Sequence, residues 1–165
     1  MPMDIRSFRP ADEPAVVALW SACGLIRPWN DPCKDIQRKL AVHDSGFLVG
    51  TVNERVIASV MAGYEGHRGW INYLAVDPIH QRNGYGRQMM LAAERFLTAA
   101  GCPKVALLLR AENAGVKSFY QKLGYAADDV ICLGKRFERD DAVFAEQRNA
   151  ADEVDPICWT VGGPV

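Results

Sequence analysis

A glycine-rich turn at residues 81–86 is the part of this sequence best suited to bind an anion. The turn reads Gln81-Arg82-Asn83-Gly84-Tyr85-Gly86 and precedes a long helical pattern. Gly84 and Gly86 let backbone amides approach a ligand, and the next helix adds unpaired N–H groups and the positive end of its dipole. Arg82 and Arg87 add positive charge at the rim. The turn therefore predicts a phosphate or pyrophosphate site; the alternative is that its glycines serve packing alone.

A second segment, at residues 113–125, begins with Asn113 and carries Tyr120 on a helical apolar stripe. The chain has neither the P-loop motif nor the dinucleotide-binding glycine motif. The pair of segments instead resembles the GNAT superfamily of acetyl-CoA-dependent N-acetyltransferases. Shorter segments at 27–32, 63–69, 101–104 and 133–136 resemble one group of bacterial acetyltransferases within that family.

The resemblance implies a role for each matching position. In that family the first segment holds the pyrophosphate of coenzyme A, which falls here on residues 81–86. The second segment supplies an asparagine near the pantetheine arm, here Asn113, and a tyrosine near the thioester sulfur, here Tyr120. A phenol is protonated at neutral pH and can donate a proton to a leaving thiolate. The alternative for Tyr120 is that it only packs on the apolar face of its helix.

Acetyl transfer to an amine also requires an oxyanion donor and a route for the proton of the amine. The resemblance implies a backbone N–H at the end of the strand 70–76, for which Val76 is the candidate, with Leu74 as the adjacent pantetheine contact. Many members of the family carry a glutamate near the start of this strand, whereas this chain has Trp-Ile-Asn. Glu65 and His67, in the preceding loop, are the nearest substitutes as a base; ordinary surface exposure is the alternative.

The loop between the first two helices borders the acceptor in this family. Trp29, Asn30 and Asp31 are therefore candidate substrate contacts, with Trp29 as an apolar wall and Asp31 as a partner for an ammonium group. The same residues have a purely structural explanation. Asp31 is a suitable N-cap before Pro32, and Trp29 is able to cover the core.

The periodicity of apolar residues predicts the elements that position these segments. Strands are expected at 5–8, 46–52, 56–64, 70–76, 105–109 and 130–133, with a hairpin turn at 53–55. Helices are expected at about 14–23, from 31 onward, at 84–100 and at 113–123. Together with the resemblance, this order implies a GNAT-like α/β fold. We expect a mixed, mostly antiparallel sheet of six to seven strands with splayed central strands and about four flanking helices. Residues 1–140 would form this domain, and 141–165 an irregular tail.

Composition limits the remaining functions. The net charge of −1 argues against a nucleic-acid partner, although residues 1–127 carry +4 and residues 128–165 carry −5. Five cysteines without a C-x-x-C pair indicate reduced thiols in the cytoplasm, and no spacing of cysteine or histidine indicates a metal site. No apolar run suits a signal peptide or a membrane span.

The expected activity is direct transfer of acetyl from acetyl-CoA to an amine of a small molecule or protein, without a covalent enzyme intermediate. A non-catalytic acyl-CoA-binding sensor or interaction module is the alternative. A homodimer is one way of covering an edge strand.

Overall fold

Five strands form one mixed sheet in the computed structural model, which describes residues 2–110 and 114–140. The strands are β1 (Asp4–Ser7), β2 (Phe47–Val52), β3 (Arg55–Tyr64), β4 (Gly69–Val76) and β5 (Val105–Leu107), and they lie side by side in chain order. Neighbouring strands are antiparallel except β4 and β5, which are parallel. The helices are α1 (Glu13–Ala22), α2 (Pro32–Ala41), α3 (Tyr85–Ala99) and α4 (Ala114–Lys122). The predicted mixed α/β architecture with four helices is confirmed in this described part.

The hairpin between β2 and β3 follows the local signal in the sequence. Asn53 and Glu54 connect the strands, and both have positive φ angles, of 48° and 63°. Two left-handed residues in a two-residue connection match the right-handed twist of the flanking strands. The predicted hairpin is confirmed.

The helices cover the two faces of the sheet, and each face has its own apolar core. On one face α1 and α2 bury Val16, Trp20 and Ile36 against β2, β3 and β4. On the other face α3 buries Met89, Met90, Ala93 and Leu97 together with Ile57, Val60 and Ile71 of the strands. Helices therefore pack on β4 from both faces of the sheet. No described helix is long and apolar enough to cross a membrane.

The prediction of six to seven strands is wrong for the described residues, which form five. The segment 130–133 was expected to be a strand, but it has no strand pairing, and Ile131 and Leu133 are more than 80% exposed. A run of apolar residues forms a strand only where it finds both a partner strand and an apolar face to pack on. The strand β5 offers a short edge, because it ends at Leu107 instead of the expected residue 109. It also lies at the edge of the described sheet, half-buried.

Candidate active site

The pairing of β4 with β5 ends at Ile71, and beyond this residue β4 has no paired strand on that side among the described residues. Their pairing joins Gly69–Ile71 to Val105–Leu107, and β4 then continues for five more residues to Val76 along β3 alone. On its β3 side this part of β4 contains a bulge, because Tyr73 and Leu74 lie opposite the single residue Val60. Tyr73 has a φ of +50° at this point. Bulges of this kind redirect side chains and are frequent next to active sites.

Val76, the predicted oxyanion donor, is the last residue of β4. The N–H of Asp77 donates to the carbonyl of Ile57 on β3, at 2.8 Å. Successive N–H groups of a strand point to opposite sides, so the N–H of Val76 points away from β3. The carbonyl of Val76 accepts from Gln81 Nε2 at 3.0 Å and from Cys23 Sγ at 3.3 Å. Two side chains therefore hold the end of the strand.

The predicted phosphate turn follows directly and is braced by its own side chains. Asp77 accepts from the N–H of Ile79 at 3.1 Å, and Asn83 Nδ2 donates to the carbonyls of His80 and Gln81 at 3.1 and 3.2 Å. The side chains of Gln81 and Asn83 thus shape the turn. Arg82 and Arg87 are exposed at its rim, as predicted, while the side chain of Tyr85 is buried in the core.

The turn ends at the first residues of α3, where Gly84 is the N-cap with a φ of +79°. No side chain caps this helix. The first-turn N–H groups of a helix lack intrahelical partners, so the start of α3 presents free donors and a positive dipole end to solvent. A Cβ built on Gly84 meets no atom within 4 Å, which indicates open space beside these donors. This end of the helix fits an anionic group.

Tyr120 lies on α4, buried against α3. Its ring contacts those of Phe119 and Tyr125 edge-on, with centroids 5.0 and 5.7 Å apart. Burial raises the pKa of the Tyr120 phenol to about 12. The hydroxyl of Tyr125 donates to Glu94 Oε1 on α3 at 2.8 Å, which fixes the end of α4 beside Tyr120. Asn113, the second residue predicted from this segment, lies outside the described residues.

Glu65 and His67 lie at the opposite end of β4 from Val76. At about 3.3 Å per residue, the eight residues of β4 separate the two ends by roughly 23 Å. The carboxylate of Glu65 accepts from the N–H groups of Arg68 and His67, at 2.6 and 3.1 Å. These bonds, that of Arg68 first, lower the pKa of Glu65. The structure does not bring this pair together with the other predicted site residues.

The loop with Trp29, Asn30 and Asp31 caps α2 and is hydrogen-bonded to the segment after α4. Asp31 is the N-cap of α2, and its carboxylate accepts from the N–H groups of Cys33 and Lys34 at 2.8 and 3.3 Å. The side chain of Arg136 reaches the carbonyl of Trp29 and the amide oxygen of Asn30, both at 3.3 Å. The indole N–H of Trp29 is buried and has no hydrogen-bond partner among the described residues.

Sequence reasoning missed a hydrogen-bonded pair at the bulge. The hydroxyl of Tyr73 donates to Asp35 Oδ2 on α2 at 2.6 Å, and its ring stacks on that of Trp20 with centroids 3.9 Å apart. No local signal identifies this pair, because Tyr73 resembles any half-buried strand residue and Asp35 any charged helical residue. No group of three or more potential metal ligands occurs within residues 2–110 and 114–140.

Comparison with known proteins agrees with this geometry. Residues 13–125 match the acetyltransferase (GNAT) family. An acetyltransferase of Pectobacterium atrosepticum is 46% identical over 138 residues, which cover 84% of this chain and 98% of that protein.

Two solved structures share the fold. The PaiA N-acetyltransferase of Thermoplasma acidophilum, in complex with coenzyme A, has a TM-score of 0.67 at 16% identity, covering 79% of this chain and 94% of that one. The ribosomal-protein-S18-alanine N-acetyltransferase of Escherichia coli has a TM-score of 0.60 at 23% identity, covering 74% and 77%. The chain therefore belongs to the acetyltransferase (GNAT) family and is an N-acetyltransferase.

Proposed function

We propose that this protein transfers the acetyl group of acetyl-CoA directly to a primary amine while both substrates are bound. The observation that carries this proposal is the uncapped start of α3, which follows the part of β4 that is unpaired on its β5 side. The start of α3 with Gly84 fits the pyrophosphate, and the unpaired edge of β4 at residues 72–76 is where the pantetheine arm would bind. Acetyl-CoA supplies the reactive thioester.

Two groups of the chain are suited to stabilise the transfer. The N–H of Val76 points away from β3, and it would donate to the thioester carbonyl oxygen as negative charge develops there. Leu74, two residues earlier, would contact the pantetheine arm. Tyr120 would donate its phenolic proton to the leaving thiolate, which turns the thiolate into the free thiol of coenzyme A. The resemblance assigns Asn113 to the pantetheine arm as well.

The acceptor and the cellular setting are also proposals. The segments at 27–32 and 63–69 resemble those of the bacterial acetyltransferase YpeA, so we place the chain in that group. The acceptor would be an amine of a small molecule or a protein, in contact with the loop of Trp29, Asn30 and Asp31. Cys23, Cys33 and Cys102 are free thiols, which is typical of the cytoplasm.

The test is acetyl-CoA-dependent thiol release with purified protein and a panel of polyamines, amino acids, aminoglycosides and peptide N-termini. We expect one acceptor class to stimulate release, and Tyr120→Phe to lower kcat at least tenfold with an unchanged Kd for acetyl-CoA. Tyr64→Phe is the matched control, because its hydroxyl bonds to the carbonyl of Gly66 at the far end of β4. Saturable acetyl-CoA binding without release by any acceptor would indicate the sensor instead, and absence of binding would contradict both functions.

The pH dependence gives a separate check of the acid. Because burial raises the pKa of Tyr120 to about 12, the phenol keeps its proton throughout the range from pH 6 to 10. The rate should therefore rise as the acceptor loses its proton and should then stay level to pH 10. A decrease in kcat with a midpoint near pH 9 would argue against Tyr120 as the proton donor.

A further inference from the structure

The Tyr73–Asp35 pair lies at the part of β4 along which the proposed function places the thioester. The bulge at Tyr73 is two residues beyond the last residue of β4 that pairs with β5. Its ring packs with Trp20 in the core under α1 and α2. The start of α3, which fits the pyrophosphate, belongs to the helix on the other face. If the pyrophosphate binds at α3, an amine would reach this part of β4 from the face covered by α1 and α2.

The backbone at Tyr73 is held in a conformation that an aromatic residue rarely adopts. Its φ is +50°, and its carbonyl accepts from the hydroxyl of Ser59 at 3.1 Å, which in turn accepts from the indole N–H of Trp20 at 2.9 Å. Such strain persists only where the surroundings fix it, and it is concentrated at functional sites. The bulge, the stack and these bonds together direct the hydroxyl of Tyr73 to Asp35.

The charges around Asp35 leave room for a cation. Arg38 donates to Asp35 Oδ1 at 3.0 Å, but both of its terminal nitrogens bond to Asp140, at 2.9 and 2.7 Å. Lys34 lies 3.6 Å from Asp140, and Asp31 caps the same helix. Glu138 lies 3.5 Å from Arg38, so four carboxylates face two cations. The cluster has a net charge of −2, which an ammonium group would reduce.

We propose that Tyr73 and Asp35 bind the ammonium group of the acceptor and accept its proton before the amine attacks. This inference rests on the proposed acetyl transfer and names its acceptor class, an aliphatic primary amine that binds as a cation. The pair would supply the carboxylate that the start of β4 lacks, where the side chains are those of Trp70, Ile71 and Asn72.

The proton moves along the existing hydrogen bond. One ammonium N–H donates to the oxygen of Tyr73, and its proton passes to that oxygen as the hydroxyl proton passes to Asp35 Oδ2. The N–H bonding electrons stay on nitrogen as the lone pair that attacks the thioester carbonyl. The products of this step are a neutral amine, an unchanged phenol and a protonated Asp35. The side chain of Asp35 is 20% exposed, so it can release the proton to water.

The test compares acceptors that need this step with one that does not. Asp35→Asn and Tyr73→Phe are assayed with the ammonium acceptors of the panel above and with hydroxylamine, which is mostly uncharged at pH 7.5. We expect kcat/KM for the ammonium acceptors to fall at least tenfold in each variant, whereas the hydroxylamine rate and the Kd for acetyl-CoA stay within twofold. The loss should shrink towards pH 10, where the free amine is abundant.

Two matched variants and two independent readouts separate this role from a structural one. Asp128→Asn and Tyr64→Phe make the same chemical changes at exposed or remote positions and should leave all rates within twofold. Binding of the acceptor to the enzyme–coenzyme A complex, measured by calorimetry, should weaken in Asp35→Asn.

Equal losses of kcat/KM with hydroxylamine, or no loss with the ammonium acceptors, would overturn the inference while leaving acetyl transfer intact. Acceptance of hydroxylamine alone by the unmodified protein would also overturn it, and acceptance of neither would refute the transfer itself.

Discussion

At the scale of single residues, the two glycines of the predicted phosphate turn serve different purposes. Gly84 has a φ of +79° with open space beside it, so its value lies in the backbone conformation and in the access that it leaves. Gly86 lies inside α3, where an added Cβ would come within 3.3 Å of the ring of Phe119 on α4. The sequence predicts one role for both, but the contact with α4 gives Gly86 a packing role.

Gly84→Val should weaken acetyl-CoA binding by at least tenfold, or about 1.4 kcal/mol, because the side chain would distort the turn and cover the first N–H groups of α3. Equilibrium titration of acetyl-CoA measures this effect. Gly101→Val is the matched control, since Gly101 follows the other end of α3 with a φ of +81° and equally open space. The same loss of affinity in both variants would show general strain and would contradict a phosphate role for the turn.

At the scale of elements, the residue before α2, Asp31, has two possible roles in the sequence. Asp31 was predicted either as an acceptor contact or as an N-cap, and its carboxylate bonds to the N–H groups of Cys33 and Lys34. The capping interpretation is therefore confirmed, while contact with an acceptor stays a prediction. Asp35, one turn further along the same helix, is the carboxylate that reaches β4.

Asp31→Ala should lower the free energy of unfolding by about 1 kcal/mol, because the first turn of α2 loses its acceptor. Asp31→Asn should retain most of that stability, since asparagine is a comparable N-cap. Urea denaturation measures both variants, and the panel assay then separates the two roles. If Asp31→Asn has normal stability but a raised KM for the amine, Asp31 contacts the acceptor. If Asp31→Ala is as stable as the unmodified protein, the capping role is refuted.

At the scale of the whole molecule, ion pairs connect the segment after α4 to α2. Asp140 accepts from Arg38 and from the N–H of Asp31, more than 100 residues away. These bonds, that with Arg38 first, hold the pKa of Asp140 well below its usual range. The segment thereby covers the loop of Trp29. The strand β5 keeps an edge position in the described sheet, so the homodimer stays a prediction, for which light scattering is the measurement.

Asp140→Asn should reduce the free energy of unfolding at pH 7 by at most about 1 kcal/mol, because Arg38 is half exposed to solvent. A depressed pKa in the folded protein contributes stability that is present above the unfolded pKa of about 4 and is lost as the pH falls. The difference between variant and unmodified protein should therefore shrink below pH 4. Urea unfolding at pH 7 and pH 3.5 measures this difference in the free energy of unfolding. Glu138→Gln is the control, because Glu138 is an exposed carboxylate 3.5 Å from Arg38. A difference that grows on acidification would contradict the ion pair.

The sequence by itself determined the elements and the family, because those depend on local spacing. Apolar periodicity, the left-handed turn at Asn53 and the glycines before α3 act within a few residues, and so they can be recognised along the chain. The tertiary structure alone decided that the strand expected at 130–133 stays exposed and that Glu65 lies far from Val76. It also decided that Tyr73 meets Asp35. These outcomes depend on strand pairing, a bulge and helix packing between residues distant in the chain, for which local spacing carries no information.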